Sequence, residues 1–138
     1  MFNKVGRLVV IDTNILVSAL WSENNNPAKI INLVFNQKIK PCYDYRILLE
    51  YKEVLERPKF KFSKEQIYNM LSGIECLGIG VVPIPISIKF IDEDDKKFYE
   101  VAKFCNATLI TGNLKHFPND NIVMSALDFL RSVNNTEK

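Results

Sequence analysis

Apolar positions along the chain switch between runs, which suit strands, and three-to-four spacing, which suits helices. Leu8-Val9-Val10-Ile11 is an unbroken aliphatic run and reads as a strand buried on both faces. It stops at Asp12-Thr13-Asn14, and a helical pattern continues to Leu20. Ser22 to Pro27 is a turn-rich break. Ala28 to Asn36 carries Ile30, Ile31, Val34 and Phe35 at helical spacing, and Ile39 to Tyr43 reads as a second strand. From Asp44 to Glu56, Ile47, Leu48, Tyr51, Val54 and Leu55 share one helical face, and Arg57-Pro58 ends the helix. Ser63 and Gln66 form a capping box ahead of a stripe of Ile67, Met70, Leu71, Ile74 and Leu77, closed by Gly78 and Gly80.

Val81 to Ile86 predicts a third strand, pushed to a sheet edge by Pro83 and Pro85. The acidic run Asp92 to Asp95 leads into a helix marked by Phe98, Val101, Ala102 and Cys105. Ala107 to Thr111 and Ile122 to Met124 are further short strands, and Ser125 caps a last helix to about Val133. Strands alternating with helices predict an α/β fold, three-layered around a mostly parallel sheet. Residues 1–133 form one domain in this reading, and 134–138 a frayed tail.

Composition narrows the class. The chain has 138 residues, 47% of them hydrophobic and 25% charged, as in an ordinary globular domain. A net charge of +2 is too mild to argue for nucleic acid alone. No long apolar run marks a signal peptide or a membrane span. Cys42, Cys76 and Cys105 form no close pair and lie in apolar stretches, which predicts buried, reduced thiols and a cytoplasmic protein. With one histidine in the chain, a zinc site is not expected.

The chemistry lies in the acids. A carboxylate at the carboxyl end of a central strand stands where open α/β sheets keep their ligands, although Asp12 is also an ordinary helix cap. On the helix from Asp44, the wheel turns Glu53 and Glu56 to water and puts Glu50 at the edge of the apolar stripe. Four consecutive acids from Asp92 exceed what capping needs. The wheel does not choose between Asp94 and Asp95. Asn113 follows another strand and offers an amide oxygen, although Gly-Asn is common turn chemistry. Carboxylates from separate elements meeting at one strand end make a hard-oxygen site suited to Mg²⁺ or Mn²⁺.

Four blocks then match a known pattern: Val9-Val-Ile-Asp-Thr-Asn-Ile-Leu-Val-Ser-Ala-Leu20, Ile47-Leu-Leu-Glu-Tyr-Lys-Glu-Val-Leu-Glu-Arg-Pro58, Asp92-Glu-Asp-Asp-Lys-Lys-Phe98 and Leu109-Ile-Thr-Gly-Asn-Leu-Lys-His-Phe117. In this order they resemble the PIN-domain nucleases, above all the branch assigned as toxins of toxin–antitoxin pairs. The resemblance implies a parallel sheet in the order 3-2-1-4-5 and a Mg²⁺- or Mn²⁺-dependent ribonuclease. It puts the family's acids on Asp12, Glu50 and Asp95, with Thr13 and Thr111 bonding the site. Many members carry a fourth acid where this chain has Asn113. The resemblance also implies RNA as substrate, a small antitoxin protein as partner, and a homodimer.

Other features have plainer readings. Arg57 to Lys64 interleaves basic and aromatic residues, as nucleic-acid contacts do, yet a solvated loop with phenylalanines folded onto the core is favoured. His116 offers a general base at this rim, but reads more readily as a surface residue after a turn, since a metal-bound water needs no histidine; Trp21 reads as core or interface. Two rivals to the nuclease are a catalytically weak module that binds RNA or protein, motivated by Asn113, and an aspartyl-phosphate phosphatase. The latter usually wants a second acid two residues after the first, where Asn14 stands.

Overall fold

The computed structural model describes residues 7–136. Its sheet has five strands in the order β3-β2-β1-β4-β5: β1 is Arg7–Ile11, β2 Ile39–Tyr43, β3 Ile79–Gly80, β4 Thr108–Ile110 and β5 Val123–Met124. All four pairings are parallel, the 3-2-1-4-5 α/β topology expected. The helices are α1 (Thr13–Trp21), α2 (Asn26–Phe35), α3 (Tyr45–Leu55), α4 (Lys64–Leu77), α5 (Lys96–Cys105) and α6 (Ala126–Thr136).

β1 is central because, from Leu8 on, it has nothing polar to expose. Val9, Val10 and Ile11 are fully buried, between β2 on one side and β4 on the other. The chain fills β2 and β3 on one side of β1, then returns to fill β4 and β5 on the other. The crevice at this reversal, outside the carboxyl ends of β1 and β4, is the natural ligand position of such sheets.

Several boundaries follow from local chemistry. The Ser63 hydroxyl accepts from Gln66 N–H at 3.0 Å while Gln66 Oε1 accepts from Ser63 N–H at 2.8 Å, completing the expected capping box. Asp44 caps α3 by accepting from Ile47 N–H. The Ser125 hydroxyl caps the last helix by accepting from Asp128 N–H.

The third strand differs from expectation. It is Ile79–Gly80, not Val81 to Ile86. Val81 N–H still reaches the Tyr43 carbonyl at 2.9 Å, but Pro83 and Pro85 have no N–H to continue a ladder. Pairing between β2 and β3 begins only at Cys42, past Pro41, which likewise offers no donor.

α6 runs to Thr136, three residues past the expected end at Val133. The remainder of the predicted tail, residues 137–138, and the start of the chain, residues 1–6, lie outside the described residues. The thiols also differ from expectation. Cys42 is buried and Cys105 half-buried, but Cys76 is exposed on α4. Burial and the neighbouring Cys105 push the Cys42 thiol up to about 12. No helix among the described residues is long and apolar enough to cross a membrane.

Candidate active site

Asp12 lies at the junction of β1 and α1, and both readings of it hold at once. It is the cap of α1, with Oδ1 accepting from Thr13 N–H at 2.8 Å. It is also buried, only 6% exposed, at the switch point of the sheet. Its Oδ2 accepts from the Thr111 hydroxyl at 2.7 Å and from Asn14 Nδ2 at 3.3 Å. All three donors are neutral, and no cationic side chain pairs with Asp12 among the described residues. Burial raises its pKa to about 6. The Thr111 hydrogen bond opposes this, and the charges of Asp95 and Glu50 add to it.

Glu50 is brought to the same rim by α3. The buried Tyr51 hydroxyl donates to the Ile11 carbonyl at 2.5 Å and so pins α3 to the end of β1, one residue before Asp12. Glu50 Oε2 accepts from the Thr13 hydroxyl at 2.5 Å. Its Oε1 is 2.7 Å from Lys97 Nζ. Glu53 and Glu56 face water, where Glu53 pairs with Arg57 and Glu56 with Lys52.

Asp95 precedes α5 in a 3-10 turn, Glu93–Asp95, stabilised by Asp92 through the N–H groups of Asp94 and Asp95. The turn leaves Asp94 exposed and Asp95 half-buried toward Asp12. Asp95 Oδ2 is 3.1 Å from His116 Nδ1. Its pKa is raised by burial, then by the charge of Asp92; the His116 contact opposes this, and Glu50 adds a smaller upward push. Asn113 is exposed after β4, and its N–H donates to the Thr111 hydroxyl at 2.9 Å. Thr111 therefore links Asn113 to Asp12.

These side chains share one cleft of about 320 Å³, lined by Asp12, Thr13, Asn14, Glu50, Asp95 and Asn113, with Val17, Ser18, Val54 and Phe60 as its outer wall. The three carboxylates do not form a closed set. Among the described residues, no three His, Cys, Asp or Glu side chains stand close enough together to hold a metal ion as placed. Glu50 is turned to Lys97 and Asp95 to His116.

The PIN-domain family profile matches residues 8–115, from β1 to the turn beyond Asn113. This chain belongs to the PIN-domain family. An uncharacterised protein of Methanocaldococcus jannaschii is 34% identical over 113 residues, which cover 80% of this chain and 73% of that protein. PIN domains are generally nucleases, and typically use divalent metals. In this PIN domain two residues that position the cleft's acids, Lys97 and Tyr51, escape a reading of the sequence. Lys97 sits in an exposed-looking Lys-Lys pair, yet its side chain is only 11% exposed. Tyr51 looks like one more apolar position on α3. His116 is the rim candidate that the sequence offers and reads more readily as a surface residue; it is 45% exposed and meets Asp95.

Proposed function

We propose that this PIN domain is a Mg²⁺- or Mn²⁺-dependent endoribonuclease acting at the Asp12 cleft. One observation carries the reading: Asp12 is a buried carboxylate with only neutral donors, in a cleft shared with Glu50 and Asp95. Such a charge is relieved by a bound cation, and the hard-oxygen donors suit Mg²⁺ or Mn²⁺. Asp12, Glu50 and Asp95 would hold the ion directly or through water, with the Asn113 amide assisting. When bound, a divalent ion lowers the pKa of water and offsets charge on the phosphate under attack.

The chain's own residues have separate tasks. Thr13 and Thr111 hold three carboxylate oxygens in place, Oδ1 and Oδ2 of Asp12 and Oε2 of Glu50. Lys97 balances the charge of Glu50, and His116 hydrogen-bonds Asp95, so that the acids coexist in one cleft. The apolar wall of Val17, Val54 and Phe60 excludes water from one side of the reacting strand. The toxin role rests on the sequence blocks, and with it a small antitoxin partner and a homodimer; a cytoplasmic location rests on the three unpaired cysteines. Co-purification with the product of a neighbouring short reading frame tests that part.

A second reading has its own support. The carboxylates are not closed into a set of three, and an amide stands at Asn113, which favours a weak or inactive module that binds RNA or protein. One experiment separates the two. Labelled RNA is incubated with Mn²⁺ or with chelator, using the native chain and Asp12→Asn. Cleavage that needs the ion and is lost in the variant supports the nuclease. Equal, chelator-insensitive traces support the binding module.

A further inference from the structure

Trp21 is expected in a core or an interface; at 64% exposed it is not in the core. It is the last residue of α1, whose first turn is capped by Asp12. Asn14, Val17, Ser18 and Trp21 follow three-to-four spacing and so share a helix face. The first three of them line the acidic cleft. From Thr13 to Trp21 the helix rises about 12 Å, so the indole stands beyond the outer end of that wall.

The indole is open but not loose. Phe60, which also lines the cleft, meets it edge-on at 5.7 Å between ring centroids, and Phe62 does so at 6.4 Å. Phe60 and Phe62 stack on each other at 5.6 Å. Phe62 packs against the core, as the sequence reading favours, whereas Phe60 turns to the cleft. The two phenylalanines therefore brace the tryptophan while leaving most of its surface to solvent. A braced aromatic ring loses little side-chain freedom when a ligand lands on it.

Charge beside Phe60, which braces the indole, has the sign of a phosphate site. Lys59 and Lys61 flank Phe60, both are exposed, and neither forms an ion pair among the described residues. Lys59 Nζ is 5.1 Å from the Phe60 centroid. Lys61 adopts the left-handed conformation, φ 59°, which ends the 3-10 turn Pro58–Phe60. Aromatic faces interleaved with lysines, continuous with a cleft for phosphodiester chemistry, match single-strand recognition by stacking and backbone contact.

We propose that Trp21, braced by Phe60 and Phe62, is a base-stacking platform for single-stranded RNA entering the Asp12 cleft, with Lys59 and Lys61 contacting its phosphates. The substrate class rests on the nuclease reading, but the stacking is tested apart from cleavage.

Trp21 is the single tryptophan of the chain, so its emission reports on this ring alone. A short single-stranded oligoribonucleotide is titrated in chelator, where no divalent ion supports turnover. The emission is expected to be quenched saturably. The variants lack this emission, so their affinities are read from the fluorescence anisotropy of an end-labelled oligoribonucleotide, alongside the native chain: Trp21→Ala is expected to weaken binding roughly tenfold or more, the usual effect of losing one stacked base, while Trp21→Phe keeps most of the affinity. A duplex of the same sequence, whose bases already stack within the helix, leaves the emission unchanged.

Binding without quenching, equal affinity in Trp21→Ala, or no binding at all overturns the platform; the first two would leave the exposed indole to a protein partner. Quenching without ion-dependent cleavage keeps the platform and removes the nuclease. Cleavage lost in Asp12→Asn, with no effect of Trp21→Ala on KM, does the reverse.

Discussion

The Thr13 hydroxyl donates to Glu50 Oε2 at 2.5 Å, and the Thr13 N–H donates to Asp12 Oδ1 at 2.8 Å. One residue thus sets the spacing of two carboxylates that belong to different elements. Where carboxylates hold a metal ion, as proposed for Asp12 and Glu50, a hydrogen bond that orients them typically carries a 10–100-fold effect on metal affinity or activity.

Thr13→Val keeps the volume and removes the hydroxyl. Ion-dependent cleavage is expected to fall by about 10–100-fold, with a stability loss of about 1–2 kcal/mol for one buried hydrogen bond. Thr13→Ser restores most of the activity. Initial rates and denaturant midpoints check both, and a Thr13→Val rate equal to the native one would remove Thr13 from the site.

Asp12 carries a pH signature. Its folded pKa, about 6, exceeds the ordinary value of 3.8. A carboxyl raised on folding favours the folded state most below its unfolded pKa, and that contribution is lost as pH rises through the folded pKa. Asp12→Asn imitates the protonated form without titrating. It is expected to stabilise the chain at pH 7–8 by up to about 3 kcal/mol, an advantage that shrinks between about pH 6 and 4. Melting curves across that range decide it; a variant less stable than the native chain at pH 8 would count against a penalised carboxylate.

Lys97 balances Glu50 at 2.7 Å with its own side chain only 11% exposed, while the Glu50 side chain is 24% exposed. Removing one partner of a largely buried pair strands the other charge. Because Glu50 keeps some contact with water, the cost of Lys97→Met is put at about 1–3 kcal/mol, below the fully buried figure. Mn²⁺ is expected to raise the melting temperature of Lys97→Met more than that of the native chain, since an added cation replaces the lost one. Equal shifts would mean that Glu50 does not meet the ion.

Gly78 joins α4 to β3. A Cβ there would lie 2.3 Å from the Pro41 carbonyl oxygen and 2.7 Å from that of Ile74, both backbone atoms. Neither can swing aside, so Gly78→Ala is expected to destabilise by about 1–3 kcal/mol. At Gly73 the nearest atom is Phe35 Cζ at 2.5 Å, the end of a half-exposed side chain, and Gly73→Ala is expected to cost less. Chemical denaturation of the two variants side by side tests this order.

What the chain determined by itself is what neighbours in sequence decide. The aliphatic run of β1, the Ser63–Gln66 box, the Asp44 cap and the stop at Pro58 are all local, and their elements stand where pattern and capping put them. The alternation of strands and helices leads from there to a parallel sheet, because parallel strands need crossovers. The acids at the rim were visible as types and positions, but helical spacing could not choose between Asp94 and Asp95. That choice depends on a 3-10 turn whose geometry Asp92 sets, and on the packing of α5 against β1. Tertiary structure alone paired Glu50 with Lys97 and Asp95 with His116, and it alone left Trp21 in the open. Those contacts join residues distant along the chain, and burial, not spacing, decides which charges must find a partner and which ring keeps a free face.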